Sequence, residues 1–207
     1  MIIYRDTAIG FRDNVDGNMI VDVLRESFRD KLGIDPSREL SAWSNSLRAM
    51  ESVVRKSEIS DDCGILIEYK IPLTSRRIDF VVSGESETND RNFVIIELKQ
   101  WQEAFETARD GIVETFLGGG IVETTHPSYQ AQSYRMLIQE YNENISIKDI
   151  KLYSCAYLHN YGENDPEPLK SSSYSTILRD TPLYLKHDAE KLQNFLKLHV
   201  GQGRGMD

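Results

Sequence analysis

The stretch FVIIELKQW, Phe93–Trp101, decides how the chain is read. Phe93, Val94, Ile95 and Ile96 form an unbroken apolar run, the pattern of a strand buried on both sides. Glu97 and Lys99 follow, flanking Leu98. Lys and Glu are almost never fully buried unless they are paired or bound to something, so a core strand that ends in a carboxylate and an ammonium demands a partner. Residues two apart in a strand share a face; Glu97 and Lys99 therefore point one way and Leu98 the other. The preceding stretch RRIDFVVSG reads as a neighbouring strand with Asp79 between Ile78 and Phe80, and the polar connection ESETNDRN allows Asp79 to lie beside Glu97. Two adjacent carboxylates repel and raise one pKa, and a divalent cation between them removes the conflict. Mg²⁺ suits such a site, because it takes oxygen ligands from few protein carboxylates and fills its other positions with water and substrate phosphate. Lys99 is then placed to orient a water or to stabilise charge developing on a phosphate.

Outward from this stretch, GILIEYKIP (64–72) alternates Ile65, Ile67, Tyr69 and Ile71 against Leu66, Glu68 and Lys70, which predicts a first strand stopped by Pro72. Close spacing predicts an antiparallel meander of the three strands. Residues 18–32 and the stretch from Pro36 to Lys56 carry apolar residues at helical spacing, and residues 1–5 read as a short edge strand. FLGGGIVETTHP reads as a Gly-rich turn, and Pro127 opens a helix that runs to Tyr141. IKLYSCAYLHNY reads as a fourth strand, residues 162–173 as a loop, TPLYLKH as a short strand, and DAEKLQNFLKLHV as a final helix with Asp188 as its N-cap. The fold class expected is α/β, with a mixed central sheet flanked by helices.

The chain has 207 residues, 40% hydrophobic and 28% charged, with a formal net charge of −9. That charge argues against broad electrostatic attraction to nucleic acid or an anionic membrane, although a small cationic or metal-bearing cleft on an acidic body is compatible with it. No run of about 18 apolar residues exists, so no membrane span is expected, and the N-terminus has no signal-peptide pattern. Cys63 and Cys155 sit in apolar segments and read as buried free thiols of a cytoplasmic protein.

Asp79, followed by Glu97-Leu98-Lys99 at the end of the next strand, resembles the core signature of the PD-(D/E)XK nuclease superfamily, with Ile78 where a proline usually precedes the acid. Gln130 and Tyr134, on one face of the following helix, resemble the Q-x-x-x-Y motif of the RecB-type members. SAWSNSL, VIIELKQW, DGIVETFLGGG, THPSYQAQSY and AYLHNY together resemble a bacterial family in which a nuclease-like domain precedes a Schlafen-type P-loop helicase or ATPase domain. The resemblance implies a restriction-endonuclease-like αβββαβ core with an extra N-terminal helix and a C-terminal β-α addition. It implies a single nuclease-like domain over 1–200, with 201–207 beginning a linker to a C-terminal domain. The activity implied is hydrolysis of nucleic acid, DNA in preference to RNA, assisted by Mg²⁺ or Mn²⁺ and coupled to a fused or partner helicase. Asp79, Glu97 and the Leu98 carbonyl would hold the metal, Lys99 would position water, and Gln130 and Tyr134 would support the substrate side. A non-catalytic nucleic-acid-binding or protein-interaction module with the same fold is the alternative.

Around this centre, Glu68 or Glu39 is a candidate further metal ligand, with Glu51 in reserve, and each also reads as an ion-pair partner. Arg76 and Arg77 read as a phosphate clamp or as solvated strand-end charges. His126 and His159 flank the proposed site, and each reads more readily as a turn feature than as a catalytic group. Trp101 reads as a cap on the sheet. Gly118, Gly119 and Gly120 let the chain pass close to the site or simply form a tight loop.

Overall fold

A computed structural model describes residues 1–37, 39–71, 74–141, 149–162 and 167–205. In chain order the elements are β1 (Ile2–Thr7), α1 (Ala8–Asp16), α2 (Ile20–Leu32), α3 (Leu40–Lys56), β2 (Gly64–Lys70), β3 (Arg77–Glu85) and β4 (Arg91–Lys99). Then come β5 (Phe105–Glu106), β6 (Ile112–Leu117), β7 (Gly120–Thr125), α4 (Pro127–Tyr141), β8 (Lys151–Leu158), α5 (Ser175–Asp180), β9 (Leu183–Leu185) and α6 (Ala189–Val200). The described strands form a six-stranded sheet in the order β1-β2-β3-β4-β8-β9 and a separate three-stranded sheet, β5-β6-β7. β1 to β4 are antiparallel neighbours, whereas β8 runs parallel to β4 and β9 parallel to β8. The protein is thus mixed α/β, with the meander of β2, β3 and β4 at the middle of the large sheet.

β4 is buried on both faces, as its apolar run requires; Val94, Ile95 and Ile96 are fully inaccessible. Val94 and Ile96 join Ile65, Ile67, Phe80 and Val82 under α1, α2, α3 and α6, while Ile95 joins Leu66 and Val81 under Tyr134 and Ile138 of α4. A third cluster, around Trp101, Val113, Leu158 and Tyr174, joins the small sheet to the end of the large one.

Several expectations change. The N-terminal addition is two helices, since α1 precedes α2, with the Thr7 hydroxyl accepting from the Gly10 N–H at its N-cap. Helix α3 starts at Leu40, after a turn in which the Glu39 N–H donates to the Pro36 carbonyl. FLGGGIVETTHP is more than a turn: Gly118 and Gly119, with φ of 61° and 93°, form the two-residue tip of the β6–β7 hairpin, with Leu117 opposite Gly120. Only a pair tolerant of positive φ closes such a hairpin. Helix α5 follows the stretch read as loop, while Pro72 and residues 163–166 lie outside the described residues.

The alternation predicted for β2 breaks at Glu68. Ile65 and Ile67 pack in the cluster under α3, but Tyr69 and Ile71 pack in the cluster under α4. Glu68 has φ of 53°, a left-handed conformation that non-glycine residues rarely adopt, and it redirects the strand. The linker-like stretch 201–205 lies against the ends of β2 and β3. Gln202 donates to the Glu85 carbonyl, Glu85 to the Gly203 carbonyl, and the Ser83 hydroxyl to the Gly205 carbonyl.

Candidate active site

Three acids meet where the meander leaves its regular ladder. Phe80 pairs with Ile96, and one residue further on Asp79 stands opposite Glu97. Ile67 pairs with Phe80 and Tyr69 with Ile78, so Glu68 and Asp79 face each other between those pairs. In place of a main-chain partner there, the Leu98 N–H donates to Asp79 Oδ2 at 2.9 Å. Asp79 and Glu97 lie within hydrogen-bonding reach of each other. Glu97 is 1% exposed and Glu68 6%, so neither charge is compensated by bulk water.

Glu97 is asymmetric. Its Oε1 accepts from Lys99 Nζ at 2.6 Å and from Gln130 Nε2 at 2.6 Å. Its Oε2 is buried with no hydrogen-bond partner. Gln130 also donates to the Tyr134 hydroxyl at 2.8 Å, so the Gln and Tyr one turn apart on α4 do face the acid pair. Burial, together with the neighbouring Asp79 charge, pushes the Glu97 carboxyl up to about 8. Burial raises Asp79 as well, against the pull of Lys99. Glu68 is raised to about 7, again mainly by burial and then by Asp79. The metal-free site therefore holds protons at neutral pH that ordinary carboxylates would have lost.

The face of α3 over the site is polar at each turn. Glu39, at its N-cap, pairs with Arg77 NH2 at 3.1 Å. Trp43 Nε1–H donates to Glu68 Oε1 at 2.9 Å. Ser46 Oγ lies 3.0 Å from His159 Nε2 and accepts from Gln100 Nε2 at 3.0 Å. All of these groups but His159, which lies behind Ser46, line a cavity of about 660 Å³ together with Arg76, Trp101, Leu117 and the acids.

The candidates thus fall into two groups. Asp79, Glu97, Leu98, Lys99, Gln130, Tyr134, Glu68, Glu39, Arg76 and Arg77 all line the one cavity. Arg77 is engaged inside the protein: it pairs with Glu68 Oε2 at 3.1 Å and with Glu39, and lies 5.0 Å over the Phe28 ring. Arg76, bonded to the Ser133 hydroxyl at 3.4 Å, is the more exposed of the two. Glu51 pairs with Arg55 on an exposed helix face. His126 is buried elsewhere, against the Leu169 carbonyl and the Ser128 N–H. Trp43, Ser46 and Gln100 were not among the sequence candidates. A Trp and a Ser at helical spacing carry no sign that the helix face they occupy is a cavity wall.

Whether the residues fit a divalent cation turns on the Glu97 Oε2 orphan. A buried carboxylate oxygen without a donor is costly once ionised; a proton shared with the neighbouring Asp79 can relieve it, and so can a cation. Among the described residues no group of three or more His, Cys, Asp or Glu side chains is arranged to hold a metal ion. The set fits a cation that takes two carboxylates and completes its shell with water, carbonyl and substrate oxygens, as Mg²⁺ does. Comparison with protein-family models, with curated proteins and with solved structures found no match to the chain.

Proposed function

We propose that the protein is a metal-dependent nuclease that hydrolyses phosphodiester bonds of DNA in preference to RNA, built on a restriction-endonuclease-like core. The element order α3-β2-β3-β4-α4-β8, with the small sheet β5-β6-β7 inserted between β4 and α4 and with β8 parallel to β4, supports that core. The observation that carries the reading is the unpartnered Glu97 Oε2 beside Asp79, at the base of a cavity that also holds Lys99.

Asp79 and Glu97 would hold Mg²⁺ or Mn²⁺, with the Leu98 carbonyl as a further ligand on the family pattern and Glu68 as a near neighbour. The ion would polarise a phosphoryl oxygen and make a bound water more acidic. Gln130 fixes Glu97 through Oε1 and leaves Oε2 to the cation. Lys99 orients the attacking water and donates to the phosphate as charge develops. Arg76, at the cavity wall, meets a flanking phosphate. The net charge of −9 limits the number of phosphates the chain can hold by itself, which is consistent with delivery of substrate by a fused or partner helicase or ATPase domain.

Isothermal titration with Mn²⁺ tests the site. One ion should bind, and Asp79→Ala or Glu97→Ala should abolish both that binding and metal-dependent cleavage of oligonucleotides. Unchanged binding in both variants would remove the metal centre. Intact metal binding with no cleavage of any oligonucleotide would favour a binding module.

A further inference from the structure

The tip of the β6–β7 hairpin gathers exposed apolar side chains beside the cavity. Phe116, Leu117, Ile121 and Val122 are 38–59% exposed, whereas elsewhere among the described residues exposed large apolar side chains are scattered. Scattered ones need no explanation, but a contiguous patch marks a contact surface. Residues opposite each other in an antiparallel pair share a face, so the hairpin has two faces. On one, Val113 and Thr115 are buried, and the Thr115 hydroxyl donates to the Glu103 carbonyl at 2.7 Å. That face runs on to Leu117 and Val122, and Leu117 lines the cavity that holds Asp79, Glu97 and Lys99. On the other face Phe116 stands opposite Ile121, next to the pair Glu114 and Glu123. The stem is anchored, and the tip stands clear at the rim of the cavity: a Cβ added to Gly118, Gly119 or Gly120 would meet nothing within 4 Å.

Charge determines which part of a nucleic acid can meet this tip. Phe116 to Val122 reads FLGGGIV, without a charged side chain, while the stem behind it carries Glu114 and Glu123. Carboxylates repel phosphates, so a sugar–phosphate backbone keeps to the cavity, where Lys99 and Arg76 stand. The group that fits an uncharged apolar rim next to those cations is the flat face of a base. Bases within a duplex have their faces covered by their neighbours, and unpaired bases offer them to apolar and aromatic side chains. We propose that the β6–β7 tip is a platform for unpaired bases next to the scissile phosphate, so that this site takes single-stranded or frayed DNA in preference to closed duplex; the inference rests on the nuclease reading above. Leu117 and Val122 meet the base on the cavity side. Phe116 and Ile121, around the edge of the same ribbon, extend the surface to its neighbour. Such stacking reads no base edge, so the platform accepts any sequence.

The test is fluorescence anisotropy, with Ca²⁺ replacing Mg²⁺ to suppress cleavage, on three labelled DNA probes of one length. These are a single strand, the same strand with abasic sites in place of its bases, and a blunt duplex. The single strand should bind most tightly, and the abasic strand, which keeps every phosphate, about tenfold more weakly or worse. The double variant Phe116→Ser, Ile121→Ser should lose roughly 5–150-fold in affinity for the intact strand. The double variant Leu117→Ser, Val122→Ser should also bind it more weakly. In both, affinity for the abasic strand, calorimetric Mn²⁺ binding and melting temperature should stay at the parental values. Equal affinity of the parent for intact and abasic strands, or no binding of either, would overturn the platform. So would parental affinity for the intact strand in both variants; if sedimentation then shows a dimer that Phe116→Ser, Ile121→Ser dissociates, the tip is an interface between copies of the chain. The nuclease reading fails separately, by Mn²⁺ binding or cleavage that survives Asp79→Ala, whichever strand binds best.

Discussion

At Glu97 two donors converge on one carboxylate oxygen and none reaches the other, which separates two jobs within one side chain. Oε1 is held by Lys99 and Gln130; Oε2 is left for a ligand. Lys99→Ala removes one of two holding bonds and leaves Oε2 untouched. The expected result is retained Mn²⁺ binding by calorimetry, with cleavage reduced roughly 10²–10³-fold, the usual cost of losing a donor aimed at transition-state charge. Lys99→Arg should also cleave poorly, because a planar guanidinium does not replace a compact ammonium. Cleavage by Lys99→Ala at the parental rate would make the lysine no more than a charge partner. Asp79, Glu97 and Lys99 were legible in the sequence because each interrupts an apolar strand. Ser46 and Trp43 were not, since their meaning depends on what the sheet places beneath α3.

The strand β2 shows where pattern reading stops. Its alternation is regular on paper, and nothing in GILIEYKIP marks Glu68 as the residue that turns left-handed. Tertiary contacts hold it there: Trp43 on one oxygen and Arg77 on the other. The β6–β7 hairpin was hidden differently, its glycine pair read as a turn while the matching runs on either side went unpaired. A non-glycine residue at positive φ costs about 1–3 kcal/mol unless its surroundings enforce it. Glu68→Asn tolerates that φ and can still accept from Trp43, so chemical denaturation at pH 8 should find it at least as stable as the parent. Glu68→Val combines β-branching with positive φ and loses both bonds; it should be destabilised by about 2 kcal/mol or more. Equal stability of the two variants would show that the left-handed residue is not under strain.

Across the whole molecule the buried acids make stability depend on pH in an uncommon direction. Most carboxylates in folded proteins are stabilised in their charged form, so stability falls as pH drops. Here Glu68 and Glu97 are raised from 4.5 to about 7 and about 8, chiefly by burial. Between those limits the folded chain binds more protons than the unfolded chain. The stabilising contribution is complete below about pH 4.5 and is lost as pH rises through 7 and 8. Each acid still protonated only in the folded state adds a slope of about 1.4 kcal/mol per pH unit. Metal-free protein should therefore melt at a lower temperature at pH 8.5 than at pH 6. A cation on Asp79 and Glu97 replaces the protons and reverses the penalty, so saturating Mg²⁺ should raise the melting temperature more at pH 8.5 than at pH 6. Asp79→Asn removes one of the repelling charges; it should flatten the metal-free profile and lose the gain from Mg²⁺. Scanning calorimetry across this range, with and without the ion, measures both effects. A metal-free protein whose stability rises steadily from pH 6 to pH 8.5 would mean that these carboxylates are ionised and satisfied without a cation, and the case for the metal centre would go with them.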